Sequence, residues 1–184
     1  MKDEDAALAD DSCTSSSDAA FMALALEEAR KAEQLGEVPV GALMVRGDII
    51  VGRGHNRREI DADPLAHAEL LAIAEASKHL AKWRLSDCTL YVTLEPCTMC
   101  AGAIVNARVG RLVFGARDPK AGAVCSLAEV CTDPRLNHIV EVKGGVMAEA
   151  CGDVLKDFFR TLREKKKSAA KAGRTADNPS EGAS

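Results

Sequence analysis

Four side chains in this sequence could do chemistry together: His67, Glu69, Cys97 and Cys100. The two cysteines lie three residues apart, just after the β-branched and aromatic run Thr89-Leu90-Tyr91-Val92-Thr93. Residues 101–109 read as helix, and Pro96 suits the first turn of such a helix, where its missing N–H costs nothing. Residues i and i+3 share one helical face, so both sulfurs can reach one point in space. The helix dipole at that end favours the thiolate form of each cysteine. His67, at a second helix start, supplies a third ligand, and Glu69 lies near the metal without having to bind it. Three protein ligands leave the fourth tetrahedral position of a zinc ion for water, the pattern of a catalytic site, with one zinc per chain. Two thiolates cancel the charge of the dication and weaken it as a Lewis acid. An adjacent carboxylate acting as a base compensates, and Glu69 is placed for that.

A lone C-x-x-C is also compatible with redox chemistry or plain burial. The strand-to-helix setting, Pro96 and the H-x-E at a second helix start turn the reading towards catalytic zinc. The chain has seven cysteines, an odd number, and Cys13, Cys88, Cys125, Cys131 and Cys151 have no spacing that suggests a disulfide framework. They read as small buried thiols in a reducing compartment. A length of 184 residues fits one domain with a real core, and 47% hydrophobic with only 3% aromatic content makes that core aliphatic and alanine-rich. No apolar run reaches membrane-spanning length, and the acidic, serine-rich start lacks a secretory pattern, so a cytoplasmic location is expected. A net charge of −4 argues mildly against nucleic acid as a partner. The charge is uneven, however: acids crowd the first eighteen residues, while Arg160, Arg163, Lys165, Lys166, Lys167, Lys171 and Arg174 gather near the end. Such a run is either a solvated helix end or a binding surface.

Those residues need elements to position them. Residues 1–18 are expected to be a disordered acidic segment with Asp18 as a helix N-cap, 19–167 a single folded domain, and 168–184 a disordered polar tail. Apolar residues at helical spacing predict a helix over 19–35, ended by Gly36. A hairpin follows, with arms 38–45 and 49–53 around Arg46-Gly47-Asp48, then a loop to Pro64 and a helix over 65–80 that buries Leu70, Leu71, Ile73 and Ala74. Strand 88–94, the Cys97 helix and strand 111–115 form a βαβ unit with parallel strands. Roughly twenty residues, with a short helix at 126–130, separate that strand from another at 138–142, which leaves room for a parallel crossover. A closing helix runs from 147 to about 166, with Phe158 and Phe159 among its apolar members. The fold class is therefore α/β: three layers, with a mixed five-stranded sheet between helices.

H-x-E…P-C-x-x-C is the signature of zinc nucleobase deaminases. The chain closely resembles the bacterial TadA-type tRNA adenosine deaminases of the cytidine-deaminase-like superfamily. The resemblance runs from about Phe21 to Arg163, and it implies a three-layer α/β/α cytidine-deaminase-like fold with parallel fourth and fifth strands. It rests on the stretch from Gly36 to Ala42, Gly54-His55-Asn56-Arg57, Ala66 to Glu69, Trp83-Arg84-Leu85, the stretch from Thr89 to Cys100, that from Phe114 to Ala123, Leu136-Asn137-His138 and Phe158-Phe159-Arg160. Thr98 and Cys125 stand where other small residues or proline are usual. The resemblance implies hydrolytic deamination of adenosine to inosine at the wobble position of tRNA, using zinc-bound hydroxide with Glu69 as proton shuttle. It implies that Asn56 and the backbone N–H of Ala68 hold a flipped base, and that Asp118 meets an adjoining ribose, whose 2′-OH separates RNA from DNA. Phe158, Phe159 and Arg160 would meet neighbouring nucleotides of an anticodon stem-loop, although the two phenylalanines also fit a core-facing stripe. It further implies a homodimer, with the helix at 101–109 and the 126–130 element against a twin. Two other classes stay open: a small-molecule deaminase of this fold acting on guanine, cytosine or a free nucleoside, and a non-enzymatic zinc-dependent partner subunit.

Overall fold

The computed structural model describes residues 16–176. Five strands form one sheet in the order β2-β1-β3-β4-β5, with β1 at Gly41–Arg46, β2 at Ile49–His55, β3 at Thr89–Leu94, β4 at Arg111–Ala116 and β5 at Glu141–Lys143. β1 is antiparallel to β2 and β3, whereas the β3–β4 and β4–β5 pairs are parallel, as the mixed-sheet expectation requires. The β1–β2 hairpin closes through Gly47-Asp48, and Gly47 takes φ +59°, a left-handed conformation that costs glycine nothing.

Helices cover both faces. Strand side chains alternate between them, so Leu43, Val45, Tyr91 and Val113 pack with Met22, Ala25 and Leu26 of α1 (Ser16–Gln34) and Cys151 of α4 (Ala148–Ala176). Ala42, Met44, Leu90, Val92, Leu112 and Phe114 face α2 (Ala68–His79) and α3 (Thr98–Asn106) on the opposite side.

Several boundaries differ from the sequence reading, each for a local reason. α1 begins at Ser16, so Asp18 is not its N-cap. Asp18 lies inside the first turn with its carboxylate buried, accepting Tyr91 Oη at 2.9 Å and Arg111 Nη1 at 2.8 Å, with Lys143 Nζ at 3.1 Å. Val38–Val40 are not strand, because Pro39 has no N–H and Val40 N–H turns back to Val38 O at 2.8 Å. No helix forms at 126–130: the N–H groups of Val124, Cys125 and Ser126 are taken by the Glu95 carboxylate, and only a 3-10 turn follows at Val130–Thr132. β5 starts at Glu141 because the Val140 N–H goes to Cys131 O at 2.9 Å instead of to β4.

α2 starts at Ala68, three residues later than expected, and its buried face is Ala68, Ala72 and Ala76, not the leucines. The cause is β2, where Gly52 and Gly54 let the helix axis come so close that only alanine fits between. At the far end, α4 does not stop near Lys166. Ala, Lys and Arg are good helix formers, and the helix carries on to Ala176, beyond the boundary drawn at 167. The remaining parts of the two expected disordered segments lie outside the described residues.

Candidate active site

His67 and Cys97 occupy equivalent places, each the N-cap of its helix with extended backbone, φ/ψ −83°/147° and −72°/176°. Cys97 therefore precedes the first turn of α3 and Pro96 stands one residue outside it, a small correction to the sequence reading. An N-cap side chain bends back over the first turn, which brings Cys97 to Cys100. His67 Nδ1 lies 3.8 Å from Cys97 Sγ and 3.5 Å from Cys100 Sγ. The ligand atoms of the three residues all fall within 4.8 Å of one another, a group that could hold a metal ion. It is the only such His/Cys/Asp/Glu group among the described residues. Cys88, Cys125, Cys131 and Cys151 are free and stand outside it, and Cys13 lies outside the described residues.

The electrostatics prepare one sulfur as an anion. The Cys100 thiol donating to it, together with His67, pulls Cys97 down to about 3, and the same sulfur–sulfur contact with burial pushes Cys100 up. Cys97 in turn raises the pKa of His67. Glu69 is buried in the first turn of α2, and burial pushes the pKa of its carboxyl up. It interacts with Cys100 from within hydrogen-bonding reach.

Asn56 follows β2 and is fixed through its backbone. Its N–H donates to Val40 O at 3.1 Å, and Arg57 N–H to Ala66 O at 3.0 Å, tying this strand end to the start of α2. Asn56 is itself buried. Ala68 is fully buried, and its N–H is one of the first-turn donors that a helix cannot satisfy itself.

A groove of about 690 Å³ opens between the loop after β4 and α4, lined by Val38, Leu94, Asp118, Lys156, Phe159 and Arg163 among others. Asp118 is thus in the wall, its Oδ1 accepting the N–H of Lys120 at 2.9 Å and of Ala121 at 3.2 Å. Phe158 and Phe159 pack edge to face with centroids 5.4 Å apart, and only Phe159 lines the groove. Neither ring belongs to the two core clusters. Arg160 is not among the lining residues: its Nη1 pairs with Asp157 Oδ1 at 2.8 Å, and Arg163, one helical turn on, is the α4 arginine that lines the groove, with Arg117 across from it on the loop after β4. Sequence reasoning gave no role to Glu95, a buried carboxylate immediately before Pro96. Burial would raise it, but Ser126 and the backbone N–H groups of Cys125, Asp118 and Ser126 hold it down to about 2. The available signal was a carboxylate at the end of an otherwise apolar strand.

Residues 16–163 match the family of MafB19-like deaminases. The chain is 53% identical over 154 residues to the tRNA-specific adenosine deaminase of Bacillus subtilis (strain 168), which covers 84% of this chain and 96% of that protein. A solved structure from studies of A-to-I editing by tRNA:A34 deaminases at the wobble position superposes with a TM-score of 0.71 at 44% identity, over 74% of this chain and 99% of that one. The guanine deaminase of Nitrosomonas europaea is a more distant structural relative, with a TM-score of 0.64 at 27% identity over 76% of this chain and 83% of that one. With its H-x-E and P-C-x-x-C segments brought to one point at two helix starts, this chain belongs to the deaminases, and among them to the TadA-type tRNA-specific adenosine deaminase family.

Proposed function

We propose that this protein deaminates adenosine to inosine at position 34, the wobble position, of tRNA. The observation that carries the proposal is the convergence of His67, Cys97 and Cys100 beside buried Glu69, in a chain more than half identical to a tRNA-specific adenosine deaminase. Two sulfurs and an imidazole nitrogen form a soft, tetrahedral-capable donor set that fits zinc better than a hard cation wanting oxygen. When bound, zinc would supply the Lewis acidity that makes water nucleophilic near neutral pH.

The chain's own residues carry the remaining steps. Asn56 and the Ala68 N–H hold the base edge after the nucleotide is flipped out of its stack. Glu69 takes a proton from the attacking water and delivers it to adenine N1 as the oxygen bonds to C6. Glu69 then passes the second proton to the amino group, the C6–N6 bond breaks, and ammonia leaves with the oxygen retained as the carbonyl of inosine. Burial of Glu69 keeps this shuttle away from bulk solvent. In the groove, Asp118 would accept from a flanking ribose hydroxyl and Phe159 would stack on a flanking base.

The assembly proposed is a homodimer acting on an anticodon stem-loop in the cytoplasm, and no described helix is long and apolar enough to cross a membrane. Support for a twin comes from the face around α3 and the 130–137 segment. There a hollow of about 450 Å³ lies between Gly102, Val105, Val130 and Leu136, with Leu127 and Ile139 also exposed nearby in sequence. Sedimentation equilibrium finding a monomer at micromolar concentration would overturn it. The activity is tested by comparing kcat/KM on a wobble-adenosine stem-loop with that on adenosine, cytosine and guanine. The stem-loop is expected to win by orders of magnitude, since its remote contacts can be spent on orientation at the reacting centre. A win for guanine would place the chain with the nucleobase-salvage relatives instead.

A further inference from the structure

The loop after β4 carries Asp118, Pro119 and Lys120 into the groove wall, yet between Ala116 and Val130 it has no helix or extended ladder to hold it. Its anchor lies outside it, in one carboxylate. Glu95 stands just after β3, two residues before Cys97, with its side chain 2% exposed. Oε1 accepts the N–H groups of Val124 at 3.2 Å and of Cys125 and Ser126 at 2.8 Å each. Oε2 accepts the Asp118 N–H at 3.0 Å and the Ser126 hydroxyl. Both ends of the loop therefore converge on one side chain, and every partner is a donor.

The loop also closes down on this carboxylate. A Cβ added to Gly122 would come within 2.4 Å of Glu95 Cδ, so only glycine lets the turn pass there. Two backbone contacts complete the join: Ala123 N–H donates to Pro96 O at 2.8 Å, and Cys97 and Gly122 form an isolated antiparallel bridge. Glu95 cannot shift without its chain neighbours Pro96 and Cys97, and the loop cannot shift without leaving Glu95.

We propose that Glu95 is a positioning residue, which fixes the groove wall at Asp118 in register with the metal-ligand segment at Cys97 and thereby favours a polynucleotide over a free nucleoside. The proposal rests on the tRNA-deaminase reading and names the device behind its substrate preference. A carboxylate is suited to the task because it offers two acceptor oxygens and no hydrogen. Glutamine would turn an NH2 group towards N–H groups, and aspartate would fall a methylene short.

The test uses full-length, zinc-loaded protein and measures both stem-loop Kd by fluorescence anisotropy and steady-state kinetics. Glu95→Gln should raise Kd and KM for the stem-loop about tenfold, as expected for a loss of hydrogen bonds to a charged group, while kcat stays within about twofold. Zinc content and turnover of free adenosine should not change. Ser126→Ala removes one donor and leaves the fold intact, so it should shift Kd the same way by about threefold. That variant decides the matter if Glu95→Gln does not fold. A proportionate fall on stem-loop and nucleoside alike, or an unmoved Kd in Ser126→Ala, overturns the proposal. Wild-type preference for stem-loop over adenosine tests the functional reading by itself, so the two failures can be told apart.

Discussion

Gly54 meets Ala68 so closely that a Cβ on the glycine would lie 2.1 Å from the Ala68 carbonyl oxygen. Gly54 is two residues before Asn56, and Ala68 stands between His67 and Glu69. The distance from Asn56, proposed to hold the base, to His67 and Glu69, proposed as metal ligand and proton carrier, is thus set by a contact that no side chain larger than hydrogen permits. Gly54→Ala must push α2 off β2, at a cost on the order of 3 kcal/mol from overpacking against backbone. Thermal unfolding should show a clear loss of stability, with activity lost beyond what the lower Tm explains. Gly152→Ala in α4, whose Cβ would meet nothing closer than 3.9 Å, should be neutral or slightly stabilising under the same measurement.

The two helix starts divide the work between holding and proton transfer. Replacing Cys97 and Cys100 together with alanine should abolish zinc binding in elemental analysis, because the other described cysteines stand outside the cluster. Removing the metal with a chelator should lower Tm and stop turnover. Glu69→Ala should keep full zinc and a near-native Tm, yet lower kcat by about 10² to 10⁴, the usual contribution of a positioned acid–base group. Near-normal turnover in that variant would remove Glu69 from the mechanism.

Asp18 supplies the pH dependence of stability that is easiest to check. The Arg111 guanidinium beside it, aided by Tyr91 and Lys143, holds its carboxyl well below the ordinary value of 3.8 in spite of its burial. Because the folded form is the stronger acid, the stabilisation is complete above about pH 5 and is lost as pH falls from there towards the folded pKa. Asp18→Asn leaves partly buried Arg111 with only the exposed Glu141 carboxylate as counter-ion, 2.9 Å from its Nε, and should cost about 2 to 3 kcal/mol at neutral pH. The gap between variant and wild type should narrow on acidification. A gap that stays constant between pH 7 and pH 3 would show that the ion pair contributes nothing.

Most of the metal cluster could be read from the sequence because its ligands come as two short motifs at helix starts, where local geometry decides the outcome. The β1–β2 hairpin and the parallel β3–β4 pair were legible for a similar reason, since connection length limits topology, whereas the parallel β4–β5 pair was permitted by its connection and implied by the resemblance. What could not be read depends on contacts distant in the chain. Asp18 resembles a cap until Arg111, 93 residues away, is seen to claim it. The 126–130 segment has helical composition, but its N–H groups are captured by Glu95 from 31 residues upstream. Leu70 and Leu71 look like the buried face of α2 only until Gly52 and Gly54 are known to lie under the alanines instead. Helical periodicity placed Phe158, Phe159 and Arg160 on α4 without saying which of its turns faces the groove.

That last point yields the sharpest test of substrate binding. The protein is acidic overall, with a net charge of −4, so RNA must be held by local cations. Arg163 lines the groove beside Phe159 and Lys156, whereas Arg160 is exposed and already paired with Asp157 at 2.8 Å. An arginine satisfied by a neighbouring carboxylate releases fewer counterions when phosphate arrives, because part of its charge is already neutralised. Arg163→Ala should therefore weaken stem-loop binding several-fold and lower the slope of log Kd against log salt by about one. Arg160→Ala should change both far less. Neither variant should alter zinc content or the slow turnover of free adenosine. The measurement is a salt titration of stem-loop affinity for the two variants and wild type, and equal effects at 160 and 163 would show that the groove beside α4 is not where the RNA lies.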